Sequence, residues 1–512
     1  MIREIVIVVA AVACCSQAWA QDIKKILAKP TADLTCSEEQ FQPTWESLQQ
    51  YKCPEWFRDA KLGIYVTWGV FSVAEQGEWY GRQMYTPTRG EHRHHCKVYG
   101  HPSEFEYRDF IPMWKAEKFD ADAWLAMFKD AGARYFTPCA VHHDGFDLWD
   151  SRHNKYNSVR MGPKKDLIGL MRDATKKAGL RWGVTTHLAR SYSWLQTAYN
   201  SDPDGPKKGV PYITDTPENA EFYHGNHGDQ SMKYPKNPSE QWKQAWTDRV
   251  TDLIDNYDID FLYFDGAVPF DIDDGLTGRK VIAHYYNKGL TRYGGKQEVF
   301  LAIKTARGGH GIYHEGIATL DCERHKLDDL SVAPWQTDDS IGPWGYKAGA
   351  RYKSPDQVID KFIDIVSKNG NLLLNVPPKA DGTFDKETIR ILRELGKWNR
   401  QNGEGVFATR PWIKYHEGDI RFTRSKDKKT LYAIFLKWPE GGRARIKSLG
   451  SEEKAIVGKI ASVSVLGSDK KVGFVREAEG LVFEMPEKTN DYAVVAKIEF
   501  DGELIMPSRQ GP

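Results

Sequence analysis

The chain has 512 residues, with 71 Lys and Arg against 70 Asp and Glu and a formal net charge of +1. That length exceeds one ordinary domain and leaves room for two or three, each with a full hydrophobic core. The even balance excludes a globally basic nucleic-acid binder, and no block of like charge reads as an interaction tail; 17 Trp and 24 Tyr suit sugar stacking but serve large cores equally well.

At the N-terminus, Arg3 precedes the apolar run "IVIVVAAVACC", and Ala18-Trp19-Ala20 has the small-x-small form of a cleavage site. This predicts a signal peptide over residues 1–20 and an exported protein, periplasmic or secreted. Lipid attachment at Cys14 or Cys15 is the minor alternative. No other stretch is apolar enough for long enough to span a bilayer. Cleavage leaves Cys36, Cys53, Cys96, Cys139 and Cys322, an odd number. Cys36 and Cys53 are near enough in sequence to bridge, and free thiols fit as well.

Short apolar runs then alternate with amphipathic stretches. "LGIYVTW" (62–68), "RYFTPCAVHH" (134–143), "LRWGVTTH" (180–187) and "DFLYFDG" (260–266) read as strands. So do "EVFLAIK" (298–304), "GIATLD" (316–321), "LSVAPWQ" (330–336) and "GNLLLNV" (370–376). Between them, 121–132, 167–179, 239–257 and 355–370 carry apolar residues at helical spacing. Eight such alternations predict parallel βα units closed into an α/β (β/α)8 TIM-like barrel. A Gly-rich dinucleotide fingerprint after the first strand is lacking, which disfavours an open doubly wound sheet and any nucleotide cofactor. From about residue 406 the texture changes to short strands separated by Gly, Asp and Lys turns. We expect a catalytic barrel over 21–405 and an all-β sandwich over 406–512. Two insertions interrupt the barrel pattern. Residues 83–112 are rich in His and Tyr, and 197–238 read as a long loop. "EHRHHC" (91–96) has good zinc ligands at a spacing that fits no closed structural site, so it is expected to be a loop at the pocket rim.

A barrel of this kind works at the C-terminal ends of its strands. Those ends carry Trp68, Glu78 and Trp79 after strand 1, and His142 and His143 after strand 2. His187 follows strand 3, Asp265 strand 4, Lys304 and Arg307 strand 5, and Asp321, Glu323 and Arg324 strand 6. An acid at the exit of an apolar strand is either an Asp-Gly turn or a catalytic group. Two carboxylates flanking a scissile bond are what glycoside hydrolysis requires. Asp265 is the candidate nucleophile and Glu323 the candidate acid/base, with Glu315 and Asp321 as rivals for the second role. Trp335 and Trp344 fit sugar stacking or core packing equally. Trp124 and Phe128 read as helix core.

Several long motifs together resemble the α-L-fucosidases of glycoside hydrolase family 29: "WFRDAKLGIYVTWGVFSV", "EWYGRQMY", "FDADAWLAMFKDAGARYFTPCAVHHDGFDLWDS", "FLYFDG", "NGNLLLNVPPKADGTF" and "NGEGVFATRPW". The resemblance runs from about Trp56 to Trp412. It implies a retaining exo-hydrolase acting on a terminal α-L-fucosyl-type group, with no metal and no cofactor, and a carbohydrate rather than a nucleic acid as partner. On it, Asp265 falls at the family's nucleophile and Glu323 near its acid/base, in "LDCER" instead of the usual Thr-Pro-Glu context. Glu78, Trp79, His142 and His143 fall at sugar-binding positions. Two positions depart: Thr67 stands where the family has a His, and "TTH" (Thr185 to His187) where it has Tyr and Ser. A hydroxyl does not span the reach of an imidazole or phenol. A wider or differently polar pocket is therefore expected, suited to α-L-galactose, sulfated or not, with His187 and Arg307 supplying new contacts. A catalytically silent sugar-binding homologue is the remaining alternative.

Overall fold

The computed structural model describes residues 40–306, 309–452 and 459–504. The expected signal peptide, Cys14, Cys15, Cys36 and Arg307 lie outside them. Eight parallel strands close into a barrel in strict sequence order. They are β1 (Leu62–Val66), β2 (Tyr135–Val141), β3 (Arg181–Thr186), β4 (Phe261–Phe264), β5 (Phe300–Lys304), β6 (Thr319–Asp321), β7 (Trp335–Ser340) and β8 (Gly370–Asn375). Closure comes from β1 on β8, with Gly63 opposite Leu373 and Ile64 opposite Leu374. Every residue of β1, β2 and β4 is buried, which is why these strands read as continuous apolar runs rather than alternating ones.

The helices start where capping chemistry places them. Asp120, Asp166 and Ser239 each accept a backbone N–H in the first turn of Ala121–Asp130, Leu167–Ala178 and Glu240–Asn256. Ser354 and Gln357 form a reciprocal capping box on Pro355–Ser367. Trp124 and Phe128 face the core, as expected. Among the described residues no helix separates β5 from β6 or β6 from β7, so loops border the barrel mouth there.

Three expectations need correction. The seventh strand is not 330–336 but Trp335–Ser340, "WQTDDS", with all six residues buried. Its polarity disguised it. Asp339 is neutralised by Lys353 and, at 2.5 Å, by Lys361, so burial of that acid is compensated. "EHRHHC" is not a rim loop but part of the helix Gly90–Val98. His95 sits between the Tyr80 hydroxyl (2.7 Å) and the Phe105 carbonyl (2.8 Å), and His92 bonds the Met84 carbonyl at 2.7 Å. Within 197–238 a short helix, Pro217–Tyr223, breaks the expected loop.

After the helix Lys386–Asn402, strands β9 (Arg410–Glu417) to β16 (Val494–Asp501) form two antiparallel sheets, ordered β13-β16-β11-β10-β9 and β12-β15-β14. Here β10 is Ile420–Arg424, β11 Thr430–Phe435, β12 Arg443–Ile446, β13 Lys459–Val465, β14 Phe474–Glu477 and β15 Gly480–Glu484. Period-2 alternation divides the large sheet's faces. Leu431, Ala433 and Phe435 pack with Phe483 of the small sheet. Tyr432 and Ile434 join the barrel's core cluster with Trp398. The sandwich is thus covered on its outer face by barrel helices. Trp398 Nε1 donates to the Ala493 carbonyl at 2.8 Å, and Arg421 reaches Asp364 at 2.6 Å.

Candidate active site

The C-terminal strand ends enclose a cavity of about 1050 Å³. Glu78, Trp79, His142, His143, His187, Asp265 and Glu323 all line it, joined by Tyr65, Thr67, Arg190, Lys304, His310, Asp338 and Trp344. Asp265 is placed by β4, whose four buried residues leave the carboxylate no latitude. Gly266 follows with φ 151°, and a Cβ there would meet the Tyr234 hydroxyl at 2.3 Å. That hydroxyl donates to the Asp265 carbonyl at 3.3 Å, so the glycine is needed for this close approach.

Asp265 is buried among cations. Lys304 Nζ contacts its Oδ1, and Arg190 Nη2 lies 3.5 Å from Oδ2. His143 Nε2 and His187 Nε2 approach Oδ2 at 3.5 and 3.7 Å. Burial alone would raise the Asp265 carboxyl. Lys304 above all, then His187, Arg190 and His143, outweigh it and hold the group well below the usual carboxylate range. Burial keeps His142 and His143 far below the ordinary imidazole value and His187 at about 4. These rings are therefore neutral near pH 7, and the permanent cations Lys304 and Arg190 carry the effect. His143 Nδ1 donates to the His187 carbonyl at 3.1 Å, which leaves Nε2 to accept from Arg190 at 3.3 Å.

Lys304 also meets Glu323 Oε2 at 2.8 Å. One ammonium touching both carboxylates caps the distance between their nearest oxygens at about 5 Å, close to the roughly 5–5.5 Å carboxyl separation of retaining glycosidases. Glu323 is 43 % exposed and Asp265 10 %, so the former opens to solvent and the latter does not. Of the rivals, Glu315 is exposed and does not line the cavity, whereas Asp321 is buried in its floor. Glu78 accepts the Gly345 N–H at 2.8 Å; burial pushes its carboxyl up and that amide partly opposes it.

Trp68 is a correction. It does not line the cavity: its indole donates to the Lys379 carbonyl at 2.8 Å, and its ring packs on Trp114 and Trp124. The strand's outward alternation turns it into the helix layer. Trp335 is likewise core, bonded to the Lys368 carbonyl at 2.9 Å, while Trp344 lines the cavity under the Arg324 guanidinium at 4.7 Å. Thr67 spends its hydroxyl on Asn375 at 3.0 Å. His187 fills the "TTH" position, with Tyr65 Oη at 3.4 Å.

Arg190, His310 and Asp338 were missed. Arg190 ends a short 3-10 turn (Leu188–Arg190) and His310 lies on a loop, neither with a motif of its own, and Asp338 lies on a strand whose polarity hid it. Lys304, at a strand end, carried the positional signal.

A closed parallel barrel with paired carboxylates on one ammonium at its mouth is a scaffold for glycoside hydrolysis. Comparison with known proteins gives the family. The model described as "Alpha-L-fucosidase" matches residues 30–404 and that of the "Alpha-L-fucosidase C-terminal domain" residues 415–499. Plasma alpha-L-fucosidase of Homo sapiens is 29 % identical over 475 residues, covering 88 % of this chain and 90 % of the relative. An alpha-L-fucosidase of Branchiostoma floridae is 27 % identical over 476 residues, covering 89 % and 94 %. Among solved structures, a Thermotoga maritima alpha-fucosidase in complex with a mechanism-based inhibitor superposes with a TM-score of 0.71 at 28 % identity, covering 90 % of this chain and 100 % of that one. The chain belongs to the α-L-fucosidase family and is a glycoside hydrolase.

Proposed function

We propose that the protein is an exported, retaining exo-hydrolase that releases terminal α-L-fucose from glycans. The observation that carries the mechanism is the shared ammonium of Lys304, which brings Asp265 and Glu323 within the spacing of a double displacement. Asp265, held ionised, attacks the anomeric carbon. Glu323, in contact with solvent, protonates the leaving oxygen and then takes a proton from the incoming water. Glu78, Trp79, His142, His143 and His187 bind the sugar; the neutral imidazoles do so as hydrogen-bond partners rather than as charges. Export rests on residues 1–20 and is in keeping with the plasma relatives.

A second reading, hydrolysis of α-L-galactosides, is favoured by one observation. Thr67 lines the cavity with its hydroxyl turned to Asn375, so it extends less far into the space than an imidazole would and suits a larger sugar substituent. A 2-fluoro-fucosyl fluoride should label Asp265 covalently, read by peptide mass spectrometry. No label, or a label elsewhere, refutes the assignment. Matched aryl α-L-fucoside and α-L-galactoside then decide between the two sugars by kcat/KM.

A further inference from the structure

Beneath Lys304 lie two buried carboxyls that the reaction above does not use. Asp321 ends β6 at 2 % exposure, and Asp338 sits in β7 at 3 %. Gln336 and Asp338, two residues apart on β7, share the face that points into the barrel, where they meet the Tyr135 and Tyr263 hydroxyls. Asp321 is hydrogen-bonded through both oxygens, with acceptor sites to spare: Oδ1 accepts the Glu323 N–H at 2.9 Å, and Oδ2 accepts Gln336 Nε2 at 2.8 Å. Asp338 is not. Its Oδ2 accepts the Tyr263 hydroxyl at 3.1 Å, but its buried Oδ1 receives no hydrogen bond from any donor among the described residues. Pairing of β6 with β7, Asp321 opposite Gln336, brings the Asp338 carboxyl beside that of Asp321.

A buried acceptor without a donor costs about 1–3 kcal/mol. Two buried carboxylates in contact cost more, and such pairs hold one proton between them. A proton on Asp338 Oδ1, donated to Asp321, removes both penalties at once. The charged and titratable neighbours are Tyr65 from β1, Tyr135 from β2, Tyr263 and Asp265 from β4, Lys304 from β5, and Glu323 after β6. Lys304 is the one cation among them.

We propose that Asp321 and Asp338 form a proton-sharing pair in which Asp338 is a positioning residue for catalysis. Through the Glu323 amide the pair fixes the loop carrying the acid/base. By holding a single negative charge it also leaves Lys304 on the catalytic carboxylates. Loss of the proton would set two charges against each other at the root of that loop and draw Lys304 downward, away from Asp265.

The shared proton is tested by infrared difference spectroscopy at pH 7 between the wild type and Asp338→Asn. A carboxylic-acid C=O stretch present in the wild type and absent in the variant is expected, and its absence in the wild type overturns the pairing. The positioning role rests on the assignment of Glu323 and is tested separately on an aryl fucoside. Asp338→Asn supplies a permanent donor and should keep kcat/KM within about 3-fold, and it should remove the pair's share of the stability lost as pH rises above the unfolded carboxyl value of about 3.9. Asp338→Leu removes the donor and should lower kcat about 10- to 100-fold with little change in KM. Equal loss in both variants, or melting curves of wild type and Asp338→Asn that run parallel with pH, overturns the positioning role. Should Asp338→Leu not fold, the infrared band and the Asp338→Asn profile still decide. A wild type that hydrolyses no fucoside refutes the functional reading and leaves the infrared test of the proton standing.

Discussion

The turn that presents His142 and His143 is held from outside the barrel by one buried ion pair. Arg249, on the helix Glu240–Asn256, meets Asp147 through Nη2 at 2.5 Å and Nε at 3.1 Å, and Nη2 also donates to the Gly145 carbonyl at 2.7 Å. The Asp147 side chain is fully buried and that of Arg249 is 6 % exposed. Arg249→Met strands the carboxylate with little beyond the Asn154 amide at 3.1 Å. Breaking a buried pair from one side costs about 3–5 kcal/mol. Replacing both partners by apolar residues costs far less, so Asp147→Leu combined with Arg249→Met should recover much of the loss. A displacement of about 1 Å at the two histidines should lower kcat/KM by about 100-fold. Calorimetry gives the stability terms, and initial rates on an aryl fucoside give the kinetic one. A single-variant cost under about 1 kcal/mol, or a double variant as unstable as the sum of its singles, would show that the pair does not hold this turn.

Three other perturbations follow from the site and the domain contact. Asp265→Asn keeps the shape but removes the nucleophile, and kcat should fall on the order of 10⁴-fold; substantial residual turnover after repurification contradicts the assignment. Lys304→Met removes the leading influence holding Asp265 low against burial, so the acid limb of kcat/KM should move to higher pH, and an unmoved limb refutes the role given to that ammonium. Asp364 lies under the β domain; burial would raise it, yet Lys326, Arg421 and Lys368 bring it to about 2. With a depressed folded value, its contribution is present above the unfolded pKa of about 3.9 and is lost as pH falls toward 2. After discounting for solvent screening that contribution is about 1–2 kcal/mol. Asp364→Asn should therefore flatten the pH dependence of melting between pH 4 and 2, and an unchanged slope would place the acid sensitivity elsewhere.

Much of the barrel was legible because parallel strands buried on both faces have no alternative to continuous apolar runs. "LGIYV" and "FLYF" announce themselves in this way, and each ends where a polar residue reaches the mouth. β7 was not legible for the converse reason. "WQTDDS" is buried, but Asp339 is compensated by Lys353 and Lys361, which lie beyond the strand in sequence, and periodicity carries no record of a partner. Trp68 failed through direction: the sequence places it at a strand end but does not say which side of the sheet it faces. The helix Gly90–Val98 failed through composition, since its His and Cys positions have the chemistry of ligands, whereas His92 and His95 are buried partners of nearby side-chain and backbone groups.

The charged positions that break local pattern cluster at the cavity. A strand holding Asp338 and Asp339, a lysine at the end of β5, and an arginine in the 3-10 turn after β3 each break the pattern of the element they belong to. Taken singly, each is a buried charge that costs stability. Taken together, Lys304 and Arg190 offset Asp265, Lys304 offsets Glu323 as well, and the charge left beneath is reduced by sharing a proton. The cost of burial is thus met only when the whole set is present, which ties the ionisation of the nucleophile to the position of the acid/base. Substitution at any one member should therefore be non-additive with the others. Lys304→Met and Asp338→Leu combined should differ from the sum of their separate effects on kcat/KM by at least about 5-fold, whereas either combined with Asp364→Asn, across the domain contact, should be additive. Additivity between Lys304 and Asp338 would mean that the floor pair and the catalytic carboxylates are electrostatically independent.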